Sequence, residues 1–244
     1  MAPDSLPARA RSLWETAAAT PVSFPPRGGL AVAVSPDSGL CPPSWAGIVV
    51  LDGAAIATAP TAHAAGVLRA ALGALPVASL TDLAMVRTRV AVADVLGPAT
   101  LAYLSPAAFR PAAGGESAEH LDPGHPEVAG LLRAAGREDA DESGLAGIDS
   151  PAFVLRAGAE VVAAAGYEVW PTSVAHISVL TAPGWRGRGL ARRAASAATA
   201  HALAAGLLPQ WRARPAASRR VARALGFTEL GGQLSLRPGG GRNG

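Results

Sequence analysis

Residues 186–189 alternate arginine with glycine, Arg186-Gly187-Arg188-Gly189. They lie between an apolar, β-branched run ending at Thr181 and a long alanine-rich segment opening at Leu190. Those residue types in that order can hold an anion. The first turn of a helix carries N–H groups without intrahelical partners, and the helix dipole adds partial positive charge there. Gly187 and Gly189 have no Cβ to cover such amides, and Arg186 and Arg188 add full charges with a fork geometry suited to phosphate. Strand, glycine loop and helix start together make a phosphate cradle. Two other cradles do not fit. There is no Gly-Lys-Ser/Thr of a nucleotide P-loop, and Arg192 stands where the last glycine of G-x-G-x-x-G belongs.

Around this loop the chain predicts an ordered set of elements. Helical patterns cover 126–136 and, more weakly, 138–147. A hairpin over 152–158 and 160–171 turns at Gly158, and a strand over 173–181 leads into the loop. Helix 189–205, strand 208–214 and helix 215–226 follow, the last opening with Pro215 and stopping at Gly226. The segment 227–237 closes as one or two strands, and the tail from Pro238 is expected to fray. Upstream, 30–34 and 47–58 read as strands, the second broken by an Asp52-Gly53 turn, and 62–75 as a helix. The stretch 86–104 fits either a helix or a strand pair. The Pro/Gly-rich stretch 105–127 reads as a linker or long loop, which sets the expected domains at 1–110 and 125–244.

The loop resembles the acyl-coenzyme A loop of the GNAT superfamily of N-acetyltransferases, R/Q-x-x-G-x-G/A, here Arg186-Gly187-Arg188-Gly189-Leu190-Ala191. The upstream Val179-Leu180-Thr181-Ala182-Pro183 resembles that family's strand ending in proline. Residues 215–227, finishing Ala224-Leu225-Gly226-Phe227, resemble its later helix. The resemblance spans about residues 125–237 in element order. It implies an α/β (α+β) fold with a mixed, largely antiparallel central sheet flanked by helices, preceded by an N-terminal α/β domain. That domain is either a degenerate copy of the same fold or an accessory cover over the acceptor site. The resemblance further implies acetyl-CoA, or another acyl-CoA, as cosubstrate. Its diphosphate would sit on the amides of residues 186–191, and its pantetheine arm would pair with Val179, Leu180 and Thr181. The thioester would point between strands 173–181 and 208–214. The expected reaction is acyl transfer to a primary amine by direct attack. Two positions depart from the family. Pro215 stands where an asparagine often contacts the cofactor, and Ala222 where a tyrosine often protonates the leaving thiolate. The acid is therefore unassigned, and the alternatives are a non-catalytic acyl-CoA-binding module and, behind it, a basic nucleic-acid-binding protein.

Attack by an amine needs a base within reach, directly or through water. His176, on the strand that leads to the loop, is the first candidate, since an unperturbed imidazole titrates at about 6.5; a hydrogen-bonded core histidine is the competing reading. Glu168 is the second candidate, beside Tyr167 on the neighbouring strand, where it would hold a substrate ammonium or relay its proton. In the acidic run 137–144, Glu142 or Asp141 would bind a cationic acceptor, unless the run is only a solvated helix face. Tyr167 and Glu142 are the expected acceptor contacts. Arg212 and Arg214 would reach the cofactor phosphates or serve as surface charges. Five scattered histidines and one cysteine, Cys41, show no metal-ligand spacing, so no metal is expected.

Composition bounds the rest. The 244 residues are half apolar and 16% charged, which excludes wholesale disorder. Every basic residue is arginine. Residues 1–183 hold ten arginines against seventeen carboxylates, whereas 184–244 hold eleven arginines and only Glu229. Such a basic third calls for a polyanion: nucleic acid, a membrane surface or a phosphate-rich cofactor. The arginines are not interleaved with aromatics and no nucleic-acid motif accompanies them, so neither nucleic acid nor membrane is the expected partner. A small-molecule or peptide amine is expected instead, and a homodimer is left open. No continuous apolar segment marks the N-terminus, and the expected compartment is cytoplasmic.

Overall fold

The computed structural model of the protein describes residues 5–239. Contacts divide it into two compact units, one made of residues up to Leu101 together with those from Glu229 onward, the other of Ala102–Thr228. In the first unit, helix α1 (Leu6–Ala17) is capped by Ser5, whose side chain accepts from Ala8 N. Strands β1 (Leu30–Val34), β2 (Ala46–Leu51) and β3 (Ala54–Ala59) follow. β2 and β3 form an antiparallel hairpin through Asp52 and Gly53, with φ of 48° and 75°, the left-handed pair that a two-residue hairpin turn requires. β1 lies parallel to β3. Helix α2 (Ala62–Leu72) puts Leu68 and Leu72 into a core with Ile48, Val50 and Leu80. A short helix α3 (Leu83–Arg87) leads into β4 (Val92–Tyr103), so the ambiguous stretch 86–104 resolves mainly as one strand.

The second unit starts at the end of β4. It continues with β5 (Glu119–Leu121), α4 (Pro126–Ala135), α5 (Arg137–Ser143), β6 (Ala152–Ala157), β7 (Glu160–Trp170) and β8 (Val174–Thr181). Helix α6 (Leu190–Ala204), β9 (Leu208–Ala213) and α7 (Ala216–Ala224) complete it. Its sheet runs β9-β8-β7-β6-β5, antiparallel throughout except for the parallel β8–β9 pair, and helices cover both faces. This is the mixed, largely antiparallel architecture expected from the sequence. On one face Ala194, Ala195, Ala198 and Ala202 of α6 meet Ala163 and Ala165 of β7 and Ala175 of β8. Alanine against alanine lets helix and sheet backbones come close, so dispersion contacts replace side-chain bulk. On the other face Val128 and Leu131 of α4 pack on Val154, Ala164 and Leu180.

The chain then returns to the first unit as β10 (Thr228–Pro238), antiparallel to β2 from Gly231↔Leu51 to Leu236↔Ala46. The units thus divide differently from the expected 1–110 and 125–244. The boundary falls at Leu101/Ala102, and the final strand belongs with the first residues. The stretch 105–127 is no free linker. Ala112 is buried, its N–H donates to Ser196 Oγ of α6 at 2.9 Å, and Arg193 Nε donates to Gly114 O at 3.2 Å. The tail expected to fray lies, from residue 240 on, outside the described residues. Ser196→Ala would leave the Ala112 N–H buried without a partner, and the expected loss is about 1–2 kcal/mol. Urea unfolding followed by tryptophan fluorescence checks it.

Candidate functional site

The parallel ladder of β8 and β9 covers only Val174–His176 against Leu208–Gln210. β8 continues to Thr181 and β9 to Ala213, so the two strands part beyond His176 and Gln210. A cleft of about 520 Å³ opens there. One wall is β8 with the loop after it: Ile177, Val179, Leu180 and Thr181, then Trp185, Arg186, Gly187 and Gly189. The opposite wall is Trp211 and Arg212 of β9, with the face of α7 that carries Ala217, Ser218, Val221 and Ala224. Arg192 and Arg220 add positive charge, and Leu190 and Ala191 bring the first turn of α6 to the cleft.

The two units end their strands differently, and the contrast locates the anion site. In the first unit α2 is closed by its own residue, Thr61 Oγ1 accepting from Ala64 N at 3.2 Å. α6 has Gly189 as N-cap and no side-chain cap. Gly187 and Gly189 sit at φ of 77° and 75°, where glycine is favoured, and a Cβ at either would meet nothing within 4 Å. The amides of the first turn therefore face open space at the cleft. Thr181 Oγ1 is buried without a hydrogen-bond partner and lines the same cleft. An uncapped helix start, an uncovered glycine loop and an orphaned hydroxyl fit a diphosphate with a polar arm lying along β8.

Most of the expected cofactor residues line this cleft: Val179, Leu180, Thr181, Arg186, Gly187, Gly189, Leu190 and Ala191. Arg188 does not; its guanidinium stacks over the Trp185 ring at 4.5 Å. Arg186 donates through Nε to Thr181 O at 3.3 Å and through Nη2 to Asp139 Oδ2 at 2.6 Å. Glu142, expected to meet the acceptor, lines the cleft and forms an ion pair with Arg214.

Strand alternation separates the remaining candidates. Tyr167, expected among the acceptor contacts, is 4% exposed and packs in the core on the α6 face. Its hydroxyl is 2.8 Å from His201 Nδ1, and burial raises its pKa. It does not line the cleft, although Ile177, its ladder partner on the same face, does. Glu168 and His176 are directly opposed in the β7–β8 ladder and share the other face, and neither of them lines the cleft. Glu168 Oε2 accepts from Trp170 Nε1 at 2.9 Å, and the His176 ring stacks on Trp170 at 4.3 Å. His176 Nδ1 lies 2.6 Å from Gln210 Oε1, an oxygen that can only accept, so Nδ1 carries the hydrogen and Nε2 the lone pair. Burial, and next the charge of Arg212, push the His176 pKa down to about 4, against the Gln210 hydrogen bond, which raises it. His176 is therefore neutral at neutral pH and much less basic than its ordinary value suggests.

On the α7 side of the cleft the sequence pointed to Pro215 through the resemblance, and Pro215 lines the cleft, but it did not single out Ala217, Val221 or Ala224. Ala217, Val221 and Ala224 recur at helical spacing, and that period was the available signal. Ser218 Oγ accepts from Trp211 Nε1 at 2.9 Å. Ala222, the position that lacks the family's tyrosine, is buried in the core and does not line the cleft. Cys41 lies in the first unit, where burial raises its thiol pKa, so it is no activated nucleophile. Among the described residues no cluster of side chains suits a metal ion, and no helix is long and apolar enough to cross a membrane.

Residues 151–231 match the family model described as GNAT acetyltransferase. Among solved structures, a GNAT-family structure from Novosphingobium aromaticivorans is similar at 23% identity and a TM-score of 0.46, over 59% of this chain and 65% of that one. A GCN5-related N-acetyltransferase from Kribbella flavida is similar at 20% identity and a TM-score of 0.47, over 66% of this chain and 65% of that one. An acetyltransferase of the GNAT family from Colwellia psychrerythraea is similar at 15% identity and a TM-score of 0.46, over 64% and 61%. The matches thus cover just under two thirds of the length of those chains. No curated protein matches the sequence. The segment that builds the β8–β9 fork, the glycine-arginine loop and α7 is thus the part of the chain that is similar to the GNAT acetyltransferase family model.

Proposed function

We propose that the protein is an acyl-CoA-dependent N-acyltransferase that moves an acetyl group from acetyl-CoA to a primary amine. The observation that carries this reading is the start of α6, which has no side-chain cap and faces an arginine-lined cleft through Gly187 and Gly189. Acyl-CoA supplies the activated thioester; everything else is the work of this chain. The amides of residues 187–191 and the Arg186, Arg192 and Arg220 side chains hold the phosphates. Val179–Thr181 and the Thr181 hydroxyl align the pantetheine arm along β8, which leads to the point where β8 and β9 part. His176 and Gln210 are the last ladder pair before that point and do not themselves line the cleft, so the reacting carbonyl belongs near them rather than in contact with them. There Glu168, opposite His176 in the ladder, holds the incoming ammonium, which gives one proton to solvent and attacks as the free amine. The neutral His176 accepts the second proton at Nε2 as the C–N bond forms and the C–S bond breaks, and CoA leaves as the thiolate. The thiolate needs no strong acid, because a free thiol titrates at about 8.5, and Ser218 is the hydroxyl available on the α7 wall.

Isothermal titration with acetyl-CoA, CoA and a DNA duplex, followed by thiol release across a panel of amines, tests the reading. Micromolar acetyl-CoA binding with amine-dependent thiol release is expected. Binding without thiol release from any amine would favour the non-catalytic module, for which the absence of a phenol among the α7 residues lining the cleft speaks. Salt-sensitive duplex binding without CoA binding would overturn both.

A further inference from the structure

We propose that α5 is an electrostatic latch on the cofactor cleft: Asp139 and Glu142 occupy Arg186 and Arg214 in the ligand-free protein, and a phosphate-bearing ligand must draw those arginines away to bind. The proposal rests on the reading of the cleft as a CoA site.

Three observations carry it. Asp139 and Glu142 are three residues apart, hence on one side of the helix, and both line the cleft. Their partners belong to opposite walls. Arg186, at 2.6 Å from Asp139, opens the β8–α6 loop, and Arg214, paired with Glu142, follows β9 and precedes Pro215 of the α7 wall. One seven-residue helix thus ties both walls of the opening.

α5 also has no buried side chain to hold it, so it contributes no apolar anchor to the core beneath. It hangs between Gly136 at φ 85° and Gly144 at φ 66°, two left-handed positions where glycine takes a backbone change at least steric cost. Short elements without buried side chains open at low free energy.

The exchange then has a definite sign. The four side chains of the two pairs are 29–48% exposed, and pairs of that kind contribute little. Phosphate oxygens offer the same arginines charge-assisted bonds, with more negative charge behind them than a single carboxylate carries. Until they do, the two carboxylates repel the incoming phosphates and hold their counter-charges. Neutralising them makes CoA bind more tightly, the opposite of what loss of a binding residue does. Asp141 gives the control. It pairs with Arg137 along the same helix and does not line the cleft, so Asp141→Asn removes the same charge without touching the latch.

Calorimetric titration of the full chain with CoA, wild type against Asp139→Asn/Glu142→Gln and Asp141→Asn, tests the proposal, with hydrogen exchange of residues 137–143 as a second readout. The double variant is expected to bind CoA roughly tenfold more tightly, from the worth of two part-exposed pairs, and Asp141→Asn to stay within about twofold of wild type. CoA should speed exchange over 137–143 in wild type. In the double variant, exchange there should be fast from the start. Equal or weaker CoA binding by the double variant, beside normal binding by wild type, would overturn the latch while leaving the CoA site standing. Binding by neither would overturn the reading of the cleft and the latch with it. Binding by the double variant alone would support the latch in its strongest form.

Discussion

Gly189→Asp is expected to weaken acetyl-CoA binding on the order of 100-fold, about 2.7 kcal/mol, while Gly189→Asn weakens it only about tenfold. The two side chains have nearly the same volume, and both tolerate the left-handed backbone that Gly189 adopts at φ 75° better than other non-glycine residues do. Either would extend into the open space above the residue, where a Cβ now meets nothing within 4 Å. The difference between them is one negative charge at the N-terminus of α6, against a phosphate held by the same amides. That carboxylate suits the helix dipole, so the Gly189→Asp chain loses ligand binding without losing its fold. Calorimetry with acetyl-CoA, beside a thermal melt of each variant, separates the two effects. Equal weakening by aspartate and asparagine would mean that the space above Gly189 matters only for its size. No weakening by either would remove the diphosphate from the start of α6.

The loop was legible because what it can hold depends on residue identity. Glycines bare amides and arginines carry charge wherever the chain takes them, so Arg186, Gly187 and Gly189 could be assigned before their positions were known. Direction was less legible. Arg188 lies one residue from two cleft residues, yet stacks on Trp185, because a loop has no period from which its side-chain directions can be read. Strands do have a period, and alternation alone separates Tyr167 from Glu168; which parity looks toward α6 is decided by packing, here the alanine face that α6 lays on β7 and β8. Contacts distant in sequence were not legible at all. Asp139 and Arg186 are 47 residues apart and Glu142 and Arg214 are 72 apart, so the acidic run of α5 read as an acceptor contact at Glu142 or a solvated face, and neither reading held its ion pairs with these arginines. β10 shows the same limit on a larger scale. Its pairing with β2 takes residues 231–236 into the first unit, and nothing in the local pattern of 227–237 distinguishes that destination from the sheet beside it.

His176 leads to the second large effect, an acid sensitivity that its replacement should remove. In the unfolded chain the imidazole titrates near its ordinary value of about 6.5, whereas burial and the charge of Arg212 bring it down to about 4 in the folded protein. Between those values the unfolded state binds the proton that the folded state refuses. Stability therefore rises with pH across the window: His176's contribution is complete above about pH 6.5 and is lost as pH falls toward 4. At 1.36 kcal/mol per unit of difference, the loss amounts to roughly 3 kcal/mol. His176→Asn keeps a donor near the Nδ1 position for Gln210 Oε1 and removes the titration. Urea unfolding at pH 7.5 and 4.5 should show wild type losing about 2–3 kcal/mol more than His176→Asn. An equal loss in both would place the His176 pKa near its ordinary value. The same neutrality bears on catalysis. A histidine that stays unprotonated to about pH 4 cannot produce an acidic limb in kcat/KM near pH 6.5. A limb found there belongs to another group, and Arg212→Gln, by removing the second cause of the depression, should raise the His176 pKa and move the stability window upward with it.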